Sequence, residues 1–380
     1  MTEHYIGLMS GTSLDAIDAV LVHFDSGYPA LIASHTEAFP AELRDQLLSL
    51  NRSRAGEIHR MAIADVELAT CYAKAVNALL KQAGLSASDI SAIGSHGQTL
   101  RHQPDLDTPY TLQIGDPNTL AELTGITTVA DFRRRDLAAG GQGAPLMPAF
   151  HNAMLRVHDE TRVVVNIGGM ANITVLPAIP DSAVTGFDTG PGNVLMDGYI
   201  LQHQRKTYDE GGNWAASGKV KEVLLTRMLR DKYFKLEPPK STGRDLFNMR
   251  WLDRHLKAYD KRVGKRIIRK HIQATLCELT AITISDAIKQ HASDAQTVIV
   301  CGGGVHNTAL MFRLQCLLDD QQLLSSEDYG IDPDMMEAMG FAWLAKQTLA
   351  IQPGNLPSVT GANHPVVLGG IYPGSALPNM

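Results

Sequence analysis

One carboxylate stands at the end of an apolar run, in a segment whose composition would leave it open to a ligand. Asp188 lies in the sequence VTGFDTGPGN, residues 184–193, where Gly190 and Gly192 leave backbone amides uncovered. A hydrophobic strand that ends in this way places the carboxylate at the mouth of the strand. The residues from Asn193 onward predict a helix, whose N-terminus suits an anion such as a phosphate. An ordinary strand-to-helix turn that contains an aspartate is the alternative.

A loop rich in serine, threonine and glycine offers a second set of groups to an anion. Residues 10–16, SGTSLDA, join two apolar strands predicted at 5–9 and 17–24. The hydroxyls and free amides of such a loop suit a phosphate, and Asp15 and Asp18 lie near enough to hold a divalent cation through water. The Walker pattern GxxxxGK[ST] does not occur in the sequence, and a plain hairpin is the alternative.

Polar side chains also follow a strand predicted at 90–94. His96 and Gln98 come at its carboxyl end, where open α/β sheets bind ligands. A lone histidine in this position more often makes structural or binding hydrogen bonds than it catalyses. Further along, Arg133 is one of three arginines between two aspartates, and we expect it to grip an anionic substrate. A solvated loop is the alternative for this basic segment.

Strands and turns must position these candidate residues. One unit of strand, glycine turn and strand occurs twice in the sequence. Residues 162–176, RVVVNIGGMANITVL, repeat the strand, glycine turn and strand of the N-terminus, as a duplicated domain would. Two related halves imply a cleft, although one hairpin can resemble another by chance. A third glycine turn, Gly302 to Gly304, follows a strand predicted at 295–301 and precedes a helix. Bare backbone there suits adenosine, but the GxGxxG fingerprint is absent.

Apolar periodicity predicts the helices that surround these strands. Helix-spaced residues occur at 41–50, 57–82, 220–231, 248–259, 267–291 and 332–349. A flexible glycine-rich joint at 138–145 suggests a domain boundary nearby. We expect a first domain at 1–131 plus 341–380 and a second at 132–340. The polar loop 238–245 either borders a substrate or lies on the surface, and 353–380 reads as an extended tail.

Composition bounds the possible functions. A chain of 380 residues that is 44% hydrophobic, with 33 glycines, is long enough for two globular domains. The 34 lysines and arginines against 40 aspartates and glutamates favour neither nucleic acid nor an anionic membrane as a general partner. Four cysteines without CxxC spacing indicate reduced thiols and no disulfide, and no signal peptide or membrane span is expected. These features predict a cytoplasmic protein.

Six segments together carry a specific resemblance. The sequences GLMSGTSLD from residue 7, GSHGQT from 94, NIGGMAN from 166, GFDTGPGN from 186, CGGGVHN from 301 and EAMGFA from 337 resemble the anhydro-N-acetylmuramic acid kinase family, in family order. The resemblance implies an α/β fold of two duplicated actin- and hexokinase-like domains, each ribonuclease H-like, around a nucleotide cleft. Ala16 departs from the pattern, because we would expect glycine there. If the position needs a positive φ, alanine costs roughly 1 kcal/mol.

The resemblance also implies an activity and a role for each candidate. A cytoplasmic enzyme of peptidoglycan recycling, with ATP and Mg²⁺ and as a homodimer, would convert 1,6-anhydro-N-acetylmuramic acid to N-acetylmuramic acid 6-phosphate. Asp188 would be the catalytic base, and His96, Gln98, Arg133 and Glu337 would bind the sugar. Asp15 would also help to place the metal. The cofactor would be bound by Gly11, Thr12, Ser13, Leu14, Asp15, Ala16, Ile17, Asp18, Gly168, Gly169, Gly302, Gly303 and Gly304. A nucleotide phosphatase and an actin-like ATPase are the alternatives in the same superfold.

Overall fold

The protein divides into two compact units in a computed structural model that describes residues 3–11, 14, 16–24, 29–51, 53 and 55–374. The first unit combines the chain up to Met154 with the chain from Gly330 onward, and the second is Leu155–Tyr329. The boundaries expected from the sequence, after residues 131 and 340, fall elsewhere. The difference arises because the chain from 132 to 154, with its two short helices, and the start of the last long helix both belong to the first unit.

Both units contain a central sheet with helices around it. The strands are β1 His4–Ser10, β2 Ala16–His23, β3 Ala30–Ala38, β4 Ile90–Ser95, β5 Gln98–Gln103, β6 Tyr110–Ile114, β7 Thr128–Ala130, β8 Arg162–Ile167, β9 Met170–Leu176, β10 Thr185–Pro191, β11 Thr297–Cys301, β12 Gln322–Ser325 and β13 Gly370–Tyr372. The helices are α1 Ala41–Leu50, α2 Glu57–Ala83, α3 Pro117–Thr124, α4 Phe132–Ala138, α5 Met147–Leu155, α6 Val194–Gln204, α7 Asn213–Ala216, α8 Glu222–Met228, α9 Met249–Val263, α10 Arg269–His291, α11 Thr308–Leu317, α12 Met336–Leu349 and α13 Pro357–Thr360.

The two sheets share one topology. The first has the order β13-β7-β4-β1-β2-β3, in which β1 to β3 form an antiparallel meander and β1, β4 and β7 are parallel. The second has the order β10-β9-β8-β11-β12, again a meander of three strands followed by parallel partners. Apart from the additional strand β13, the connectivity of the first sheet is repeated in the second. This repetition confirms the predicted fold of two duplicated α/β domains.

The long helices lie where the apolar periodicity predicted them. Helix α2 turns Leu68, Tyr72 and Val76 into the core of the first unit and ends at Gly84, whose φ of +68° makes it the expected C-cap. Helix α10 forms the centre of the second unit, and its residues are buried on nearly all sides. None of the helices in the described part of the chain is long and apolar enough to cross a membrane.

Helix α12 packs directly against the first sheet because two strand residues lack side chains. A Cβ atom at Gly7 of β1 would collide with the main chain of Ala338, and one at Gly94 of β4 would collide with that of Phe341. Only glycine at both positions lets the helix backbone approach the strands so closely. This packing fixes the first turn of α12, which carries Glu337.

The segment after α12 completes the first unit, and one buried carboxylate attaches it. Asp136, in α4, accepts hydrogen bonds from the Gly143 amide at 2.7 Å, Asn355 Nδ2 at 2.7 Å and Thr360 Oγ1 at 2.8 Å. Three donors satisfy the buried charge. Residues that are more than 200 positions apart in the sequence are thereby joined.

Candidate active site

Asp188 lies in the middle of β10, which continues to Pro191, and not at the end of a strand as the sequence predicted. It is held by its main chain as well as by its carboxylate. The Asp188 amide donates to the Lys240 carbonyl at 3.2 Å, and the Tyr233 hydroxyl donates to the Asp188 carbonyl at 2.6 Å. The Thr242 amide donates to carboxylate Oδ2 at 2.9 Å. Beyond Asp188 the register of β10 with β9 shifts before Gly190, so the strand is irregular at this point. The peptide is therefore fixed while Oδ1 stays available for another partner.

The electrostatic surroundings make this carboxylate a better base than an ordinary aspartate. Burial raises the pKa of Asp188 to about 6, and the Thr242 hydrogen bond opposes that change only in part. Among the described residues, no cation forms an ion pair with it: the ammonium of Lys240 lies over the rings of Phe187 and Tyr233 and donates to the Leu236 carbonyl. A pKa near 6 suits a general base at neutral pH, because the group is ionised there and still accepts a proton readily.

The loop around Thr242 is the part of this site that the sequence did not locate. The sequence left residues 238–245 open between a substrate border and a surface loop. In the structure Thr242 contacts Asp188, and Arg244 Nη2 is the nearest atom, at 3.9 Å, to a Cβ built on Gly169. The only sequence signal was a run of polar residues next to two prolines, which is typical of many surface loops.

Gly168 and Gly169 form the turn between β8 and β9. A side chain at either residue would meet no atom closer than 3.7 Å, so the main chain of the turn is uncovered, as a phosphate site requires. The carbonyls of the two glycines accept hydrogen bonds from the amides of Gly192, Asn193 and Val194. The amides of Asn193 and Val194, at the start of α6, therefore already have partners, and an anion at the remaining amides of this helix start stays a prediction.

The three glycines after β11 differ in what surrounds them. A Cβ at Gly302 or Gly304 would collide with the end of β8, whereas one at Gly303 would have no atom within 4 Å. Gly303 faces a cavity of about 330 Å³ whose lining includes Met196 and Tyr208. Gly302 and Gly304 thus permit close packing, and Gly303 leaves bare backbone beside a space that suits a nucleoside.

The first glycine-rich loop is described only in part. Thr12, Ser13 and Asp15 lie outside the described residues. The Leu14 amide donates to the Gly11 carbonyl at 3.1 Å, and Leu14 itself has a φ of +56°. Ala16 already belongs to β2, opposite Ala38, so the positive φ falls at Leu14 and not at the position where the family would have glycine.

The last two residues of the predicted loop lie within β2, and their side chains have different surroundings. The Ile17 side chain is in the core, which leaves only its main chain for a ligand. The Asp18 carboxylate accepts a hydrogen bond from Thr36 Oγ1 at 3.0 Å. Burial raises the pKa of Asp18, and the charges of Asp334 and Asp332 raise it further.

Arg133 and His96 are brought together in the first unit. Arg133 Nε and Nη2 donate to His96 Nε2 at 3.1 and 2.9 Å, and Nη1 donates to the Gly143 carbonyl at 2.8 Å. Because an arginine only donates, His96 is neutral with its hydrogen on Nδ1. Burial and the Arg133 charge hold the pKa of His96 well below its usual range. His96 is therefore a poor general acid or base at neutral pH, as the sequence indicated.

Glu337 lies close enough to Arg133 for their charges to interact, and Gln98 is a further polar residue of the first unit. Burial raises the pKa of Glu337, while the charge of Arg133 opposes the rise. The pKa of Arg133 falls to about 10 through burial, with Glu337 acting in the other direction. Gln98 is buried at the start of β5, and its Oε1 has no hydrogen-bond partner in the described part of the chain. A guanidinium, a partly buried carboxyl group and an unpaired amide oxygen are suitable contacts for a polar, acidic sugar.

The carboxylates near the first loop are compatible with Mg²⁺ but do not form a protein cage. In the described ranges no group of three or more histidine, cysteine, aspartate or glutamate side chains is arranged to hold a metal. Magnesium in kinases usually has one or two carboxylates and completes its shell with phosphates and water. Asp18, which lies close enough to Asp334 and Asp332 for their charges to interact, could supply such a carboxylate.

The duplicated sheets, each with a turn between its first two strands, give the chain the actin- and hexokinase-like fold. A family model described as anhydro-N-acetylmuramic acid kinase matches residues 3–374. The chain belongs to the anhydro-N-acetylmuramic acid kinase family, and by that membership it is a kinase.

Relatives of the same description cover nearly the whole chain. The anhydro-N-acetylmuramic acid kinase of Coxiella burnetii (strain RSA 493 / Nine Mile phase I) is 50% identical over 370 residues, 97% of each chain. That of Xylella fastidiosa is 48% identical over 373 residues, which cover 97% of this chain and 96% of the relative. Among solved structures, (R)-2-hydroxyglutaryl-CoA dehydratase component A of Acidaminococcus fermentans is similar with a TM-score of 0.49 and 12% identity, over 92% of this chain and 100% of the other.

Proposed function

We propose that this chain hydrolytically opens 1,6-anhydro-N-acetylmuramic acid and phosphorylates it with ATP, giving N-acetylmuramic acid 6-phosphate and ADP in peptidoglycan recycling. Family membership supports the kinase activity. The observation that carries the mechanism is Asp188, a half-buried carboxylate with a pKa of about 6 and one oxygen without a hydrogen bond from the described residues. Such a group is suited to take a proton from water.

The substrate requires a base because its O6 is locked in a bridge to the anomeric carbon. Water attacks C1 while one of its protons passes to Asp188, and the bond from C1 to O6 breaks. The released O6 attacks the γ-phosphorus of ATP, the bond from that phosphorus to the β,γ-bridging oxygen breaks, and ADP leaves. Asp188 then releases its proton to the solvent, so atoms and charges balance with water, the anhydro sugar and ATP as reactants and with the sugar phosphate, ADP and one proton as products.

The sugar contacts are assigned to the first unit. Arg133 keeps N–H groups beyond those given to His96 and Gly143, and a guanidinium is well matched to a carboxylate such as that of the lactyl group. His96 fixes the guanidinium plane, and the Gln98 oxygen accepts a hydrogen bond from a sugar hydroxyl or amide. Glu337 accepts from a hydroxyl in the same way.

The nucleotide contacts are assigned to the three glycine turns. Residues 11–18 and the Gly168-Gly169 turn bind phosphates through their amides, and the cavity beside Gly303 receives the adenosine. Mg²⁺, when bound, would neutralise phosphate charge. Asp18 would hold it through water, together with Asp15.

Product analysis tests this function. Purified protein with ATP, magnesium and the anhydro sugar should yield a sugar heavier by the mass of one water and one phosphoryl group. In oxygen-18 water the label should appear at the anomeric carbon at early times, before the free sugar exchanges that oxygen. Label in released phosphate would show a nucleotide phosphatase instead.

The homodimer, the cytoplasmic location and the lack of a nucleic-acid or membrane partner stay predictions. Sedimentation equilibrium with and without ATP tests the homodimer, and fractionation of the source cells tests the cytoplasmic location. Assembly into filaments with ATP would favour an actin-like role.

A further inference from the structure

The loop from Lys240 to Arg244 touches both the candidate base and the second phosphate turn. Its Lys240 carbonyl and Thr242 amide bind the main chain and the side chain of Asp188. The sequence separation of 54 between Asp188 and Thr242 shows that this contact belongs to the tertiary fold rather than to a local turn. The side chains of Thr242 and Arg244, both in this loop, have no part in the function proposed above.

The hydroxyl of Thr242 is a buried polar group that makes no hydrogen bond within the described part of the chain. Its Oγ1 is shielded from solvent and has no hydrogen-bond partner there. Leaving such a group unpaired costs roughly 1–3 kcal/mol, so its persistence calls for an explanation. Only Cα and Cβ separate Oγ1 from the Thr242 nitrogen, which keeps these two atoms within about 4 Å. The hydroxyl is therefore close to the carboxylate that the same residue binds through its amide.

We propose that Thr242 is a further residue of the hydrolytic step, which rests on the role proposed for Asp188. Its amide holds Oδ2, so that the proton is taken at Oδ1, and its hydroxyl accepts a hydrogen bond from the second hydrogen of the attacking water. With one hydrogen directed to Oδ1 and the other to Thr242 Oγ1, the oxygen lone pair points at the anomeric carbon. The first hydrogen leaves with Asp188, and the second remains on the new anomeric hydroxyl.

The other titratable groups around Asp188 are unchanged by a substitution at Thr242. Tyr233 binds the Asp188 carbonyl, Lys240 lies over the rings of Phe187 and Tyr233, and His291 packs against the Phe187 ring. Thr242→Val keeps the amide and the shape of the side chain but removes the hydroxyl, and Thr242→Ser keeps both groups. Comparing the valine and serine variants isolates the contribution of the hydroxyl to catalysis.

Steady-state kinetics of the two variants test the proposal. Thr242→Val should lower kcat about 10- to 100-fold, with the KM for ATP and the acidic limb of the pH profile close to wild type. The melting temperature should be equal to or above that of the wild type, because an unpaired buried hydroxyl is removed. Thr242→Ser should restore kcat to within a few-fold. A wild-type kcat in the valine variant, or a loss of activity that only follows a loss of stability, would overturn the role. Asp188→Asn, measured in parallel, separates the two ideas: if it is fully active the proposed base is wrong, whereas if it is inactive and Thr242→Val is normal only this inference fails.

An independent observation concerns Arg244. Its guanidinium lies beside the uncovered Gly168-Gly169 turn, and within the described part of the chain it forms no ion pair. We infer that Arg244 contacts the γ-phosphate of ATP bound at that turn, a role that rests on the proposed phosphate site. An arginine without an ion pair, next to uncovered main-chain amides, can donate hydrogen bonds to the γ-phosphate, which ATP has and ADP lacks.

Calorimetric binding of ATP and ADP without sugar tests this role apart from catalysis. Arg244→Ala should weaken ATP at least tenfold, about 1.4 kcal/mol, and leave ADP within twofold of wild type. The matched control is Arg250→Ala, an exposed arginine of α9, which should change neither ligand. Unchanged ATP affinity, or an equal loss for both nucleotides, would contradict a contact to the γ-phosphate. If wild-type protein binds neither nucleotide, the proposed function itself is wrong.

Discussion

Asp188 differs from Asp209, a buried aspartate of the same unit, in how few hydrogen bonds its carboxylate accepts from the described residues. Asp209, in contrast, accepts hydrogen bonds from the amides of Trp214 and Ala215 and from Gln273. Both carboxylate oxygens of Asp209 are therefore occupied within the fold. Asp188 accepts one such bond in the described part of the chain, and burial raises its pKa, so it is the better proton acceptor.

Asp188→Asn should abolish turnover while it stabilises the fold. Removing the base should lower kcat by about 10²–10⁴. Because the folded-state pKa of about 6 lies above the ordinary value, ionised Asp188 destabilises the native state increasingly as pH rises to 6, and fully above it. At pH 8 the asparagine variant should therefore gain on the order of 1 kcal/mol in unfolding free energy. Urea unfolding and kinetics check both; Asp181→Asn, an exposed control, should change neither.

The pH profile of kcat/KM should have an acidic limb near pH 6. Activity should fall about tenfold per pH unit below that point, because the protonated carboxyl cannot accept the proton from water. His96 should add no limb above pH 6, since its pKa is held far lower. A limb near pH 4 would show that Asp188 titrates as an ordinary exposed aspartate and would contradict the assigned environment.

Among single residues, the sequence predicted those whose role depends on residues adjacent to them in the sequence. Asp188 was visible because an apolar strand, a carboxylate and a glycine-proline turn follow one another directly. Thr242 was not, because its contact to Asp188 spans 54 residues and depends on how a loop packs on a strand. Local patterns do not report such packing, and neither the direction of the Thr242 amide nor the absence of a partner for its hydroxyl leaves a mark in the composition.

At the scale of elements, the position of α12 depends on the two glycines beneath it. Gly94→Ala places a methyl group where the Phe341 carbonyl lies, so the helix must move away from the sheet. Such overpacking should destabilise the protein by roughly 1–3 kcal/mol. It should also raise the KM for the sugar, because Glu337 is carried on the first turn of α12.

Gly370→Ala is the matched control for that substitution. A Cβ at this strand residue would meet nothing closer than 3.5 Å, an ordinary contact distance. Thermal unfolding of both variants gives the comparison. Equal melting temperatures would show that α12 can shift at no cost, contrary to the packing described here.

The turn after β11 gives the opposite case, in which space is available for a side chain. Gly303→Val should fold with near wild-type stability because nothing lies within 4 Å of the new Cβ. The branched side chain would project toward the 330 Å³ cavity and weaken ATP by tenfold or more, about 1.4 kcal/mol. Gly303→Ala should have a smaller effect. Calorimetry that gives wild-type affinity for a folded valine variant would place the adenosine elsewhere.

Periodicity was sufficient to predict most helices, whereas the reasons for their placement were not visible. The ends of α1 agree with the prediction, and α10 begins two residues later than the periodicity indicated. The three glycines from Gly302 were interpreted as one nucleotide surface, but two of them are required by packing against β8. The sequence shows that a residue is glycine, but only the fold shows whether a ligand or another part of the protein lies where its side chain would be.

At the scale of the whole molecule, Asp136 is the residue that ties the C-terminal part of the chain to the first unit. Asp136→Ala would leave the donors on Gly143, Asn355 and Thr360 without their acceptor. Because each buried donor left unpaired is costly, the unfolding free energy should fall by about 3 kcal/mol or more. Urea unfolding measures it, and Asp107→Ala, at an exposed position, is the control. Equal transitions for the two variants would contradict the importance of this link.

The interrupted first unit has a consequence for how the protein is made. A ribosome releases Leu155–Tyr329 as one continuous stretch, so the second unit can fold as soon as it has emerged. The N-terminal strands leave the ribosome earlier and can bury one face against α1 and α2, because that core contains no described residue after Ile126. Their other face, which α12 covers, stays exposed to the solvent until the second unit has been synthesised. The first unit is therefore completed after the second, and the uncovered face of β1 and β4 is where the nascent chain is exposed to aggregation in the interval.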